Sequence, residues 1–329
     1  MTVVDAVLDA GGSTAPRVMA RVERRMAELS SGHGELLARY AGSTIAAGGK
    51  RLRPLLVCLA AGVPPPETDA LVSAAVAVEL VHAATLVHDD VLDGSSLRRG
   101  RPTVVAAAGR LVATATGDLL FSRAFSELTD LGSSEAVRIL SRASSELAAG
   151  EVMQRADAWN IEVSVERYLE RCRLKTAVLF RAACQLGAVA GGAGRSGNGP
   201  DVATAGLGAF GEQIGLAFQI LDDVLDISGP PERTGKPRGA DLLDGTVTLP
   251  LILARRRDPE LAALDVAAVR TPEQATSVCD RVVATGVLEE ARSRALLLVG
   301  RAKDRLPDLP ERQRSALELV ADGVVERYS

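Results

Sequence analysis

The sequence predicts an all-α fold, and three observations carry that prediction. Apolar residues make up 47 % of the chain while aromatics make up only 3 %; alanine, leucine and valine dominate, a composition that favours packed helices over a β-sandwich. Apolar positions return at helical spacing along almost all of the 329 residues, and strand alternation is nearly absent. No shift in composition marks a linker between separate cores. The chain therefore reads as one domain over 1–329, with a motif-bearing core at about 40–255 and C-terminal helices over 256–329.

The elements follow in order. Ala15–Leu29 is amphipathic, with Arg21, Arg24 and Arg25 on its polar side. Gly42 and Gly48-Gly49 interrupt the next helix, and Pro54 suits the first turn of another. Val63-Pro64-Pro65-Pro66 is a loop, after which Thr68 is the expected N-cap of a long helix ending at Asp93. Gly94-Ser95-Ser96 stops that helix, and Leu97–Thr103 is expected to be a basic loop. Further helices are predicted at about Leu111–Leu131, Ser134–Ala156, Val163–Gly187 and Val202–Ile227. Gly191–Pro200 is a glycine-rich connection, and Gly229–Gly245 reads as irregular because Pro230, Pro231, Gly235, Pro237 and Gly239 fall within it. The last third alternates short helices with turns at Pro259, Pro272, Pro307 and Pro310.

Bulk properties exclude several classes. A net charge of −4 gives no general nucleic-acid surface. Cys58, Cys172, Cys184 and Cys279 lack metal-ligand spacing, so they read as free buried thiols of a reducing, cytoplasmic compartment. The start of the chain does not read as a signal peptide. The most apolar stretch, Leu71–Val87, contains Glu79 and His82 and reads as a buried core helix, not a membrane span.

The most informative motif is Asp-Asp-Val-Leu-Asp, present at Asp89–Asp93 and again at Asp222–Asp226. On a helix, i and i+4 lie almost above one another. Each copy thus gathers Asp89, Asp90 and Asp93, or Asp222, Asp223 and Asp226, toward one place. A single such motif is most often a solvated helix end. Here each copy ends an apolar helix, where the macrodipole disfavours carboxylates. Bound hard divalent cations are the simplest counter-charge, and they leave coordination positions open for a polyanion such as a diphosphate. Arg98 and Arg99 follow the first copy; either they are solvated counter-charges or their guanidinium forks hold phosphate. Gly48-Gly49-Lys50-Arg51-Leu52-Arg53-Pro54 would let the backbone approach an anion within reach of Lys50 and Arg53. It lacks the pattern of a nucleotide P-loop and by itself equally fits a polar loop.

In the order and spacing of these motifs, the chain resembles the trans-isoprenyl diphosphate synthases, the polyprenyl synthetase family, over about residues 40–255. Gly49–Pro54 resembles the family's GKRxRP segment. His82–Asp93 with Leu97–Thr103 resembles its first aspartate-rich region, and Phe218–Asp226 its second. Gly117-Asp118, Gly150-Glu151 with Gln154, and Lys175-Thr176 fall at later stations of the pattern, and Gly235-Lys236-Pro237 with Gly239-Ala240-Asp241 resembles its flexible loop. Where many members have Gly-Lys-x-Thr-Leu-Pro, this chain has Gly245-Thr246-Val247-Thr248-Leu249-Pro250, so one cation near the allylic diphosphate is missing.

The resemblance implies a homodimer that elongates an allylic diphosphate with isopentenyl diphosphate, head to tail. It implies Mg2+, three ions with substrate bound and Mn2+ as a substitute, held by the six aspartates. Arg98, Lys175 and Lys236 would share the allylic diphosphate's charge, with Thr176 and Gln219 beside it. Isopentenyl diphosphate would sit on Lys50, Arg53, Arg99 and His82, although a lone helix histidine is more often structural. The metal assists departure of diphosphate, and the departed diphosphate takes the final proton. Chain length is expected to be set below the first motif. Ala84 and Thr85 are small where short-product members place an aromatic, and the motif carries no two-residue insertion. Leu80, Val81 or Phe121 would form a deeper floor. A product longer than geranylgeranyl diphosphate is the preferred expectation, with farnesyl or geranylgeranyl products as the alternative. Peripheral membrane contact for product release is compatible with this. A terpene cyclase would not need Gly49–Pro54 and would carry a different second site. A silent partner subunit would tend to lose aspartates, and all six are present. A helical ion-binding protein without turnover is the bland alternative.

Overall fold

The computed structural model describes residues 3–30, 34–46, 49, 51–98, 100–192, 201–229 and 237–326. Among these the chain is helical almost throughout. The helices are α1 (Val3–Ala10), α2 (Ala15–Ser30), α3 (Glu35–Ala46), α4 (Leu52–Ala60), α5 (Asp69–Asp93), α6 (Val104–Thr129), α7 (Ser134–Ala156), α8 (Val165–Cys172), α9 (Val178–Ala190) and α10 (Asp201–Ser228). They continue as α11 (Ala240–Leu243), α12 (Leu249–Ala254), α13 (Pro259–Ala262), α14 (Pro272–Ala284), α15 (Val287–Asp304) and α16 (Glu311–Glu326). Lys50, Arg99 and Lys236 lie outside the described residues, as do Gly48, Pro230, Pro231 and Gly235.

Local chemistry explains the boundaries that matter. The hydroxyl of Thr68 accepts from the Leu71 N–H at 3.2 Å, Asp69 sits in the first turn of α5, and Gly94 closes the helix with φ 64°; all three are ordinary start and stop signals. The expected basic loop is instead a short antiparallel hairpin, β1 (Leu97–Arg98) paired with β2 (Arg101–Pro102), turning at Gly100. Two-residue strands are too short to show any alternation in sequence. The helix expected from Leu111 begins earlier, at Val104, because Thr103 caps it, and it breaks at Gly109. The helix expected over Val163–Gly187 is divided: a π-helical turn, Arg173–Ala177, separates α8 from α9.

Two compact units make up the chain, each assembled from separate stretches. The first comprises Met1–Ser144, Leu179–Gly211 and Arg305–Gly323. In it α5 packs on α2, α4 and α6. Leu71, Ala75, Val76, Val78, Leu80 and Val81 of α5 have no accessible surface. Its buried Glu127 is held by Arg25 at 2.7 Å and by the Ser73 hydroxyl at 3.1 Å. The second comprises Ser145–Val178, Glu212–Asp304 and Val324–Ser329. In it α8, α14 and α15 pack around the buried α12. All four cysteines are buried and free, as expected; burial pushes the thiols of Cys58, Cys184 and Cys279 up to about 12, so they stay protonated. The helices α5 and α6 are long and apolar enough to cross a membrane. Within α5, however, Asp89, Asp90 and Asp93 sit at one end and Glu79 in the middle, and most of the apolar window is buried in protein.

Candidate active site

Each aspartate motif is divided by its helix into accessible and buried carboxylates. On α5, His82, Leu86, Asp89 and Asp93 recur at i, i+4, i+7 and i+11, one face of a helix, and all four are half-buried. Asp90 points the other way and is 5 % exposed. The guanidinium of Arg98 grips one oxygen of Asp90 through Nε at 2.9 Å and a terminal nitrogen at 2.8 Å. Burial raises the Asp90 carboxyl above the usual carboxylate range, and Arg98 opposes that rise. So the arginine after the motif already has a partner inside the protein.

On α10, Phe218, Gln219 and Asp222 keep accessible surface, whereas Asp223 and Asp226 are 3 % and 4 % exposed. Asp223 accepts from the Tyr168 hydroxyl at 2.6 Å and from the Gln219 amide at 2.7 Å. The Thr176 hydroxyl donates to the other end of that amide at 2.6 Å. Thr176, Gln219 and Asp223 thus form one chain of hydrogen bonds, as two of the expected site residues leading to a third. Burial first, and then the neighbouring charge of Asp241, pushes the Asp223 carboxyl well above its ordinary value. Asp226 accepts the Asp241 N–H at 3.3 Å.

Lys175 sits in the π-helical turn, its ammonium 2.6 Å from Glu151, which also pairs with Arg155 at 3.1 Å. A Cβ on Gly150 would stand 2.7 Å from the Lys175 backbone nitrogen, so only glycine lets α7 approach the turn this closely. Such π-turns recur at functional positions in helices. Here the turn and Glu151 together set where the lysine stands.

In the first unit Arg53 lies 4.7 Å over the Phe180 ring, and its buried Nε finds no hydrogen-bond partner among the described residues. Burial lowers its guanidinium to about 10, with Glu79 opposing, so it remains charged at neutral pH. Neighbouring Arg51 adopts a left-handed backbone (φ 46°) and is anchored by Glu23 at 2.6 Å, Glu79 at 3.0 Å and the Ile45 carbonyl at 2.8 Å. Below the first motif, Ala84, Leu80 and Val81 have no accessible surface, while Thr85 and Leu86 keep some. Phe121 stacks on His88 with centroids 5.8 Å apart. Thr246 is half-buried and its N–H donates to the Asp241 carbonyl at 2.8 Å.

Sequence reasoning missed Tyr168 and the anchoring of Arg51 by Glu23 and Glu79, and it quoted Glu151 without a role. A fully buried tyrosine must find a partner for its hydroxyl, yet nothing in the sequence says which of three tyrosines is buried. Among the described residues no three His, Cys, Asp or Glu side chains converge as a metal cluster. The donors are nevertheless all carboxylate oxygens, with Asp223 and Asp226 buried near the end of α10. That set fits Mg2+, which is usually held by one or two carboxylates, waters and substrate phosphates instead of an all-protein cage.

The fold is all-helical, with an aspartate motif at the end of each of two apolar helices. The polyprenyl synthetase family model matches residues 34–285. The chain is 37 % identical over 293 residues to "Heptaprenyl diphosphate synthase component 2" of Geobacillus stearothermophilus, covering 89 % of this chain and 90 % of that one. It is 35 % identical to the octaprenyl diphosphate synthase of Escherichia coli, covering 94 % and 95 % of the two chains. The crystal structure of a polyprenyl synthase from Caulobacter crescentus with calcium and isoprenyl diphosphate is similar, with a TM-score of 0.90, 37 % identity and 98 % of each chain covered. The chain belongs to the polyprenyl synthetase family and is, by that membership, a prenyltransferase.

Proposed function

We propose that the chain is one catalytic domain that condenses isopentenyl diphosphate with an allylic diphosphate, 1′-4 and head to tail, to make a medium- or long-chain polyprenyl diphosphate. The observation that carries this reading is the division of both aspartate motifs. Asp89, Asp93 and Asp222 are only half-buried, while Asp90 and Asp223 are tied into the protein by Arg98 and by Tyr168 with Gln219. Divalent metal, Mg2+ in this reading with Mn2+ as a substitute, would neutralise the leaving diphosphate. Asp89, Asp90 and Asp93 of the first motif and Asp222, Asp223 and Asp226 of the second are the residues that would hold the metal. Lys175 and Lys236 would share the charge of the allylic diphosphate, and Arg98 orients Asp90. Lys50, Arg53, His82 and Arg99 hold isopentenyl diphosphate; the buried Nε of Arg53 is suited to an anion because no described group satisfies it. No protein nucleophile is required, so orientation, charge stabilisation and exclusion of water are the protein's contribution. The named relatives, heptaprenyl and octaprenyl diphosphate synthases, support a product beyond geranylgeranyl diphosphate. The enzyme works in the cytoplasm in this reading.

Purified protein incubated with isopentenyl diphosphate, each allylic primer in turn and Mg2+ is expected to yield products of more than four isoprene units. Excess chelator is expected to abolish them. Undiminished condensation in chelator would falsify the metal-assisted mechanism.

A homodimer is part of the same proposal. Leu111 of α6 is 85 % exposed and less than a third of the apolar window of that helix is buried, a surface that a second copy would cover. Leu111→Glu is expected to lower the mass measured by light scattering from that of two chains toward one. A "component 2" relative raises the other case, a separate partner subunit; full activity of the purified chain alone would exclude a need for it.

A further inference from the structure

Trp159, the sole tryptophan of the chain, adopts a left-handed backbone with φ 64°. A bulky side chain is an outlier there and persists only when its surroundings over-determine it. Those surroundings are the segment that follows the second aspartate motif. The Trp159 N–H donates to the Gly245 carbonyl at 2.8 Å, and the indole lies against Gly245 itself, leaving no room for a Cβ. Gly245 is also left-handed, at φ 76°. Arg270 covers the ring, 5.3 Å from its centroid.

Two residues on, the Val247 carbonyl accepts from the buried guanidinium of Arg171 at 2.6 Å. Arg171 is 3 % exposed, faces Asp157 at 3.8 Å and lies 5.6 Å over the Tyr168 ring. Asp157 is held independently by Arg167 at 3.0 Å. The circuit closes on the motif at two points. Tyr168 donates to Asp223 at 2.6 Å. Thr246 donates to the Asp241 carbonyl at 2.8 Å, and the Asp241 N–H donates to Asp226 at 3.3 Å.

We propose that Trp159 and Arg171 are positioning residues that seat the Gly245–Val247 segment and, through Tyr168 and Asp241, hold Asp223 and Asp226 in place for the cation–diphosphate complex. This deepens the reading of the second motif as a metal site and rests on it. Outer partners of this kind, when removed, typically cost 10–100-fold in metal affinity or activity.

The test reads metal affinity, not activity alone. At saturating inorganic pyrophosphate, the Mg2+ concentration giving half-maximal thermal stabilisation is measured for wild type, Trp159→Ala, Trp159→Phe and Arg171→Met. Arg171→Met keeps an unbranched buried side chain and leaves Asp157 its bond to Arg167. The half-maximal Mg2+ concentration is expected to rise about tenfold in Trp159→Ala and Arg171→Met, and less in Trp159→Phe, which keeps an aromatic ring on Gly245. A variant that melts cooperatively and binds Mg2+ like wild type overturns the proposal, even if it melts at lower temperature. A second arm needs no variant. Coupling is reciprocal, so saturating Mg2+ and pyrophosphate should reduce acrylamide quenching of Trp159 in the wild-type protein. Unchanged quenching in protein that is thermally stabilised by the pair also overturns it, and decides the matter if the variants do not fold. No stabilisation of wild type by Mg2+ and pyrophosphate would instead overturn the metal reading itself, and this inference with it.

Discussion

Asp223→Asn is expected to melt a few degrees higher than wild type in excess chelator while losing about ten- to a hundredfold in kcat/KM. The two effects share one cause. Asp223 is buried, and Asp241 and Asp222 add negative charge near it, so its folded carboxyl sits well above its unfolded value of about 4. The sign then follows from linkage. A group whose folded pKa is raised contributes its full stability only below the unfolded pKa, and that contribution is lost as pH rises through the folded value. At neutral pH, without a cation, Asp223 therefore weakens the fold. Asparagine cannot ionise, and its amide can still meet Tyr168 and Gln219, which now bond the carboxylate at 2.6 and 2.7 Å. The melting-temperature difference between variant and wild type should grow as pH rises from 5 to 8, and Mg2+ with pyrophosphate should shrink or reverse it. Equal melting temperatures across that range would show that Asp223 is not strained by its own charge. A residue that is costly to the empty fold and needed for turnover is what a stability–function trade-off looks like at one position.

Thr85→Phe is expected to shorten the product with the initial consumption of isopentenyl diphosphate broadly retained. Thr85 lies one turn before Asp89 and keeps accessible surface; its hydroxyl back-bonds to the His82 carbonyl at 2.8 Å. A ring there projects from the face that carries His82, Leu86, Asp89 and Asp93. Ala84→Phe, at the other small position that the sequence places below the first motif, meets a different wall. Ala84 has no accessible surface, so a ring there overpacks the core at a cost of about 1–3 kcal/mol or more. It should melt several degrees lower than wild type before it changes anything else. Product chromatography with one primer, together with melting curves for both variants, separates the two. Shorter products from Ala84→Phe at wild-type stability, with unchanged products from Thr85→Phe, would mean that the tail grows along the other face of the helix.

Legibility in the sequence divided along physical lines. The all-α class came from composition and period, which are local properties, and the ends of α5 were marked by Thr68 and Gly94, whose effects reach no farther than a turn. The family was legible because its motifs are contiguous pentapeptides and hexapeptides whose order survives in one dimension. The hairpin at Leu97–Pro102 and the π-turn at Arg173–Ala177 were not legible. The first is too short to have a period, and the second packs against Glu151 and Gly150 of another helix, neighbours that its own sequence does not contain.

By itself, then, the sequence determined the helical class, the family and the identity of the acidic residues. Tertiary structure alone decided which carboxylate of each motif is accessible and which is buried. Asp89 and Asp90 are adjacent in sequence, yet the 100° step of the helix puts one on the open face and the other against Arg98. Asp222 and Asp223 are likewise adjacent, and Tyr168, arriving from α8, joins Gln219 in hydrogen-bonding the buried second acid. Accessibility and charge partners are properties of the neighbours that folding supplies, many of them far away in sequence, and a motif does not contain its neighbours.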